Sequence, residues 1–157
     1  MSLASADLFQ AIRLHAPLQD LVIPNINVRN ENGQSLLQEA IAARNESAAR
    51  LLLRQQLDVN SQDDQGATAL HYVALYQTPA LGQRILQQGG NLALLDQHGN
   101  SPLWTAVFNA RGQYDVVDLF LQYQADPQSV NRYGKTPADF ATQIQDPYLM
   151  RVLQPRA

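Results

Sequence analysis

Residues 96–107 read DQHGNSPLWTAV, and the order of residue types in that stretch decides how the whole chain is understood. Asp96 is followed three residues later by Gly99, then by Ser101 and Pro102, then by an apolar run. Asp and Asn side chains bond their own nearby backbone and open tight turns. Glycine supplies the left-handed conformation such a turn needs. A serine ahead of a helix accepts a hydrogen bond from its free first N–H groups, and proline at the first helical position lacks a donor that would go unpaired. The stretch is a turn that delivers the chain into a capped helix.

The same spelling recurs as NENGQSLLQEAI at 30–41, DDQGATALHYVA at 63–74 and NRYGKTPADFAT at 131–142. Aligned on Gly33, Gly66, Gly99 and Gly134, the copies are spaced by 33, 33 and 35 residues. Each cap is followed by apolar residues at helical spacing: Leu37, Ala40 and Ile41; Leu70, Val73 and Ala74; Leu103, Ala106 and Val107. A second helical run comes next in AARLLLRQ (48–55), LGQRILQQ (81–88) and VVDLFLQY (116–123). Two short helices and a turn cannot bury their apolar faces alone, but copies stacked side by side can.

On these residues the chain resembles the ankyrin-repeat family, whose unit carries T-P-L-H at its first helix and G-A-D-V-N after its second. Thr68-Ala69-Leu70-His71 matches three of the first four positions, and Leu57-Asp58-Val59-Asn60 matches the second motif. Ser101-Pro102-Leu103-Trp104, Thr136-Pro137-Ala138-Asp139 and Ala125-Asp126 are weaker copies. The resemblance implies an all-α solenoid of helix-turn-helix units with protruding turns, about four repeats plus an N-terminal helix-pair cap. The expected division is a cap pair at 1–29, repeats at 30–62, 63–95 and 96–130, and a C-terminal capping repeat at 131–157. The third repeat is two residues longer, so its helix connection must bulge or its first helix extend. Gly82 falls inside a second helix, where glycine costs about 1 kcal/mol against alanine.

Composition narrows the chemistry. The 157 residues carry a formal charge of −3, which gives no general attraction to nucleic acid or anionic membrane. Cysteine is absent, removing disulfides, thiolate nucleophiles and cysteine-held zinc. No apolar run is long enough to span a bilayer, and the first residues lack a signal-peptide layout, so the expected location is cytoplasmic. No catalytic, metal or cofactor site is expected. His15, His71 and His98 have no acidic or histidine neighbour at ligand spacing. Asp63 is a turn residue, so Asp63–Asp64 is no acid–base pair. The acceptor-like Asn45-Glu46-Ser47 should be idle. For His71 the resemblance implies a structural hydrogen bond between neighbouring turns.

Residues that neither turn nor core requires are free to be chosen for a partner. At the turn tips they are Glu31 and Asn32, Asp64 and Gln65, Gln97 and His98, and Arg132 and Tyr133. On the first helices they are Tyr76, Phe108 and Asn109, with Trp104 at the position His71 holds in its own repeat. The resemblance implies that these two sets line a concave contact surface. Trp104 is open to a second reading as filler against the next copy, and Phe108 to burial under the lengthened loop.

The expected function is therefore a non-enzymatic, monomeric module that binds, and inhibits, another protein. More narrowly, 99–112 with 116–128 and 133–141 resembles small bacterial ankyrin proteins that act as immunity partners of secreted toxins. In that reading acidic tips complement a basic, nuclease-like surface. The alternatives are a general adaptor or scaffold, an architectural block that self-associates through its ends, and an enzyme or ligand binder built on the third-repeat insertion around Asn109, Arg111 and Tyr114.

Overall fold

The computed structural model describes residues 5–19 and 23–155. Among them are nine helices, with one isolated bridge between Arg29 and Ser35 as the only extended pairing. They are α1 (Ser5–Arg13), α2 (Leu36–Ala42), α3 (Glu46–Leu53), α4 (Ala69–Tyr76), α5 (Pro79–Gln87), α6 (Pro102–Phe108), α7 (Asp115–Gln122), α8 (Pro137–Gln143) and α9 (Pro147–Val152). The first helices α1, α2, α4, α6 and α8 pack neighbour on neighbour in one layer, and α3, α5 and α7 form a second layer behind them.

The caps fall where the residue types require. Ser35, Thr68, Ser101 and Thr136 each accept the N–H three residues on, and Pro102 and Pro137 open their helices. Asp146 caps α9 in the same way, with Pro147 at its first position. Each such cap is worth about 1 kcal/mol, which matters for helices of only two turns that are marginal alone. Packing supplies the rest. Leu36, Leu70, Leu103 and Leu149 are fully buried along one continuous core, with Ile41, Ile85 and Phe120.

The two extra residues of the third repeat bulge. α6 is no longer than α2, and the chain leaves it through Asn109, a left-handed Arg111 and Gly112 before re-entering α7. The bulge also carries Tyr114, whose hydroxyl donates to the capping carboxylate of Asp146 at 2.9 Å. Its ring stacks on Tyr148 at 4.2 Å, and Tyr148 donates in turn to Asp118. This aromatic clasp ties the six-residue α9 to the third repeat.

Of the expected N-terminal pair the structure describes one helix, α1; residues 16–19 and 23–28 run as turns and loop, and 20–22, where the rest of the second helix was expected, lie outside the described residues. Gly82, for its part, is a packing residue. A Cβ there would lie 2.8 Å from Val73 Cγ1 and 3.1 Å from Leu119 Cδ2, so α5 sits against α4 and α7 only because the side chain is missing.

Candidate interaction surface

The turn tips are built four times on one plan. Asn30, Asp63, Asp96 and Asn131 each accept two backbone N–H groups through one side-chain oxygen, at 2.8–3.0 Å. Successive tips are then stitched together. Asp64 N donates to Asn32 O at 3.1 Å, Gln97 N to Gln65 O at 2.8 Å, and Arg132 N to His98 O at 3.0 Å. The turn glycine lies in this seam: a Cβ on Gly99 would come within 2.9 Å of Arg132 N, whereas one on Gly134, at the last tip, would meet nothing within 4 Å. Glycine is thus required both for its positive φ, +74° at Gly99, and for the closeness of the next tip.

This ladder brings all eight tip residues named from the sequence into one row. It also shows where charge is free. Asp63 and Asp96 are absorbed by their own turns, and Asp63 takes a further hydrogen bond from Tyr72 at 2.8 Å. Glu31 and Asp64 are the exposed acids of the row and Arg132 is its exposed base. The row therefore runs from acidic to basic, whereas the toxin reading expects acidic tips. At its basic end His98 and Tyr133 stack at 6.2 Å, with His98 Nδ1 3.2 Å from the Tyr133 hydroxyl.

Just inside the tips, one helix position reaches across each repeat boundary. Gln38 Nε2 donates to Ala67 O at 2.7 Å, His71 Nε2 lies 2.9 Å from Asn100 O, and Trp104 Nε1 donates to Lys135 O at 3.2 Å. His71 Nδ1 accepts the Thr68 N–H at 3.1 Å, so Nε2 holds the proton and donates. Burial keeps this imidazole below its ordinary pKa and therefore neutral. The structural bond expected of His71 is present. Trp104 makes the same cross-repeat bond while leaving part of its ring accessible.

Beyond that position the first helices present side chains outward. Phe108 is 54% exposed, so the lengthened loop does not bury it. It packs against Trp104 at 5.8 Å and Phe140 at 5.1 Å, and Trp104 meets Phe140 at 5.6 Å. Leu75, at the same repeat position as Phe108, is 49% exposed, and Ile144 is 47% exposed. Tyr76 stands beside this patch with the Arg44 guanidinium 5.8 Å over its ring. The Asn109 side chain donates to Thr105 O at 2.8 Å. Leu75, Phe140 and Ile144 were missed from the sequence. The signal for Leu75 was its place 33 residues before Phe108.

Of the insertion residues, Tyr114 is committed to Asp146 while Asn109 and Arg111 line a cleft on the far side of Tyr76. Among the described residues no group of three or more His, Cys, Asp or Glu gathers as a metal site, and no helix is long and apolar enough to cross a membrane. The acceptor-like Asn45 is buried as the cap of α3 and donates to Ile12 O at 2.9 Å.

A family model described as ankyrin repeats (3 copies) matches residues 8–81 and 40–131. Among similar proteins, one ankyrin repeat protein of Acanthamoeba polyphaga mimivirus is 33% identical over 79 residues, covering 50% of this chain and 19% of that protein. A second from the same virus is 26% identical over 137 residues, 84% of this chain and 18% of its own length. The nuclear factor NF-kappa-B p105 subunit of Gallus gallus is 29% identical over 103 residues, 62% of this chain and 10% of that protein. The chain thus spans about a fifth or less of these relatives. Ankyrin repeats are generally a non-enzymatic module for protein–protein interaction. With turn ladder, capped helix pairs and family model coinciding on the same residues, this chain belongs to the ankyrin-repeat family.

Proposed function

We propose that the protein holds a partner protein on the face shared by its turn tips and first helices, and inhibits that partner by covering its working surface. One observation carries this: Leu75, Trp104, Phe108, Phe140 and Ile144 form an accessible apolar and aromatic group on a face whose backbone is already cross-linked repeat to repeat. Aromatic side chains on a rigid support are the usual anchors of protein interfaces, because little entropy is lost when they are covered. The tips add polar contacts, from Glu31, Asn32, Asp64 and Gln65 at one end to Gln97, His98, Arg132 and Tyr133 at the other. In its narrower form the proposal makes the partner a secreted toxin. Its support is the sequence likeness of 99–112, 116–128 and 133–141.

Affinity capture with the natural chain and with Phe108→Ala/Ile144→Ala tests the surface. The expected result is one protein retained by the first and lost by the second. The affinity deficit at a true anchor should be about 2 kcal/mol, or roughly thirtyfold in Kd. Folding should be unaffected, since both side chains are half exposed. Equal retention by both forms would move the interface elsewhere. Assaying the captured protein's own activity with and without the chain separates inhibition from plain tethering.

A further inference from the structure

The first helices end, away from the tips, in a row of left-handed residues: His15, Arg44, Gln77, Arg111 and Gln145. Cations near helix C-termini are mildly favoured. The glutamines at this position show that no charge is required there. Yet Arg44 and Arg111 border the same cleft. With Tyr76 and Leu75 as apolar walls and the amides of Gln77 and Asn109 beside them, they line one cleft of about 440 Å³. The Arg44 guanidinium lies over the Tyr76 ring at 5.8 Å, so it stands beside one wall of the cleft. Arg111 lines the cleft from the bulged connection after α6. No acidic residue lines the cleft, and among the described residues neither arginine pairs with a carboxylate; the ion pairs are Arg13–Glu39 and Arg50–Glu46. Two unpaired guanidinium groups in a protein of net charge −3 make a local site of the opposite sign to the whole.

We propose that this cleft receives a carboxylate side chain from an acidic segment of the partner protein, whose apolar neighbours lie on Leu75 and Phe108. The inference rests on the interaction face proposed above and names the chemistry of what lies at its edge. Guanidinium forks match carboxylate oxygens in pairs, and the Leu75 and Tyr76 walls suit the methylenes that carry an Asp or Glu carboxylate. A bare inorganic anion would leave those walls uncovered.

Hexaglutamate and inorganic phosphate, titrated separately at low ionic strength into the isotopically labelled chain, provide the test by NMR. Saturable shifts with hexaglutamate, confined to Arg44, Tyr76, Gln77 and residues 109–113, are expected. Arg44→Gln/Arg111→Gln should weaken that binding at least tenfold, and Arg54→Gln, on the second-helix layer, should leave it intact. Absent or delocalised shifts, or an unaffected double variant, would overturn the proposal. So would phosphate binding as tightly as the peptide, which marks a bare anion site. Phe108→Ala should not alter hexaglutamate binding, because that peptide has no apolar side chain. Failure of the apolar face and failure of the arginine cleft are therefore told apart.

Discussion

The first two turn-bearing repeats and the last two share a backbone and differ in what they show to solvent. At the position that bridges to the next repeat, the earlier pair carry Gln38 and His71, both buried; the later pair carry Trp104 and Asp139, both at least partly open. One residue further along the helix the earlier pair place Glu39, buried against Arg13 at 2.8 Å, and Tyr72, half-buried and hydrogen-bonded to Gln34 and Asp63. The later pair place Thr105 and Phe140, and Phe140 turns its ring toward Phe108. Polar bonds in one half occupy the same register that aromatic surface occupies in the other. Stacking repeats need the bond across each boundary and little else from these positions, so one half is invested in cohesion and the other in display.

The largest test asks whether the halves are one cooperative unit. Leu70 and Leu103 occupy the same fully buried position in neighbouring repeats. Each substitution by alanine should cost about 2–5 kcal/mol in urea unfolding. The chain has a single tryptophan, Trp104, which reports on the later half. In Leu70→Ala its fluorescence midpoint should fall together with the far-ultraviolet dichroism. A fluorescence midpoint that stays put would show the halves unfolding separately, as nearest-neighbour stacks can.

A smaller effect is expected at the seam between α4, α5 and α7. Gly82→Ala gains about 1 kcal/mol of helix propensity but must force a methyl against Val73 and Leu119, where overpacking costs about 1–3 kcal/mol. The result should be a net loss of about 1 kcal/mol by thermal or urea melting. A stabilised variant would mean that α5 has room to slide.

The smallest is a pH effect confined to the earlier half. Because burial holds His71 below its ordinary 6.5, the unfolded chain takes up this proton first as pH falls. Stability should be level above about pH 6.5 and decline below it, by at most about 1.4 kcal/mol per pH unit until the folded state also protonates. His71→Gln, which installs the residue used by the repeat before it, should flatten the slope between pH 5 and 6.5. An unchanged slope would assign the proton to another group.

Much of this could be read without coordinates. The Asx–Gly–Ser/Thr–Pro spelling marked each turn and cap because these are local matters, decided within about six residues by backbone chemistry. The length of the third repeat announced an insertion. It could not say whether the helix grew or the loop bulged, since both satisfy the same count. Trp104 and Phe108 were picked out as chemically unusual, but whether a ring is covered depends on neighbours 30 residues away.

From the sequence alone came the period, the turns, the capped starts of the helices and the absence of a cysteine. These follow from short-range hydrogen bonding and composition, which the order of residues states directly. The tertiary structure decided the rest: that Gly82 is a contact rather than a weakness, that Phe108 stays open beside Trp104 and Phe140, and that Arg44 and Arg111, 67 positions apart in the chain, border one cleft. Those depend on which surfaces the stacking leaves uncovered. That is settled only when every repeat is in place against the next.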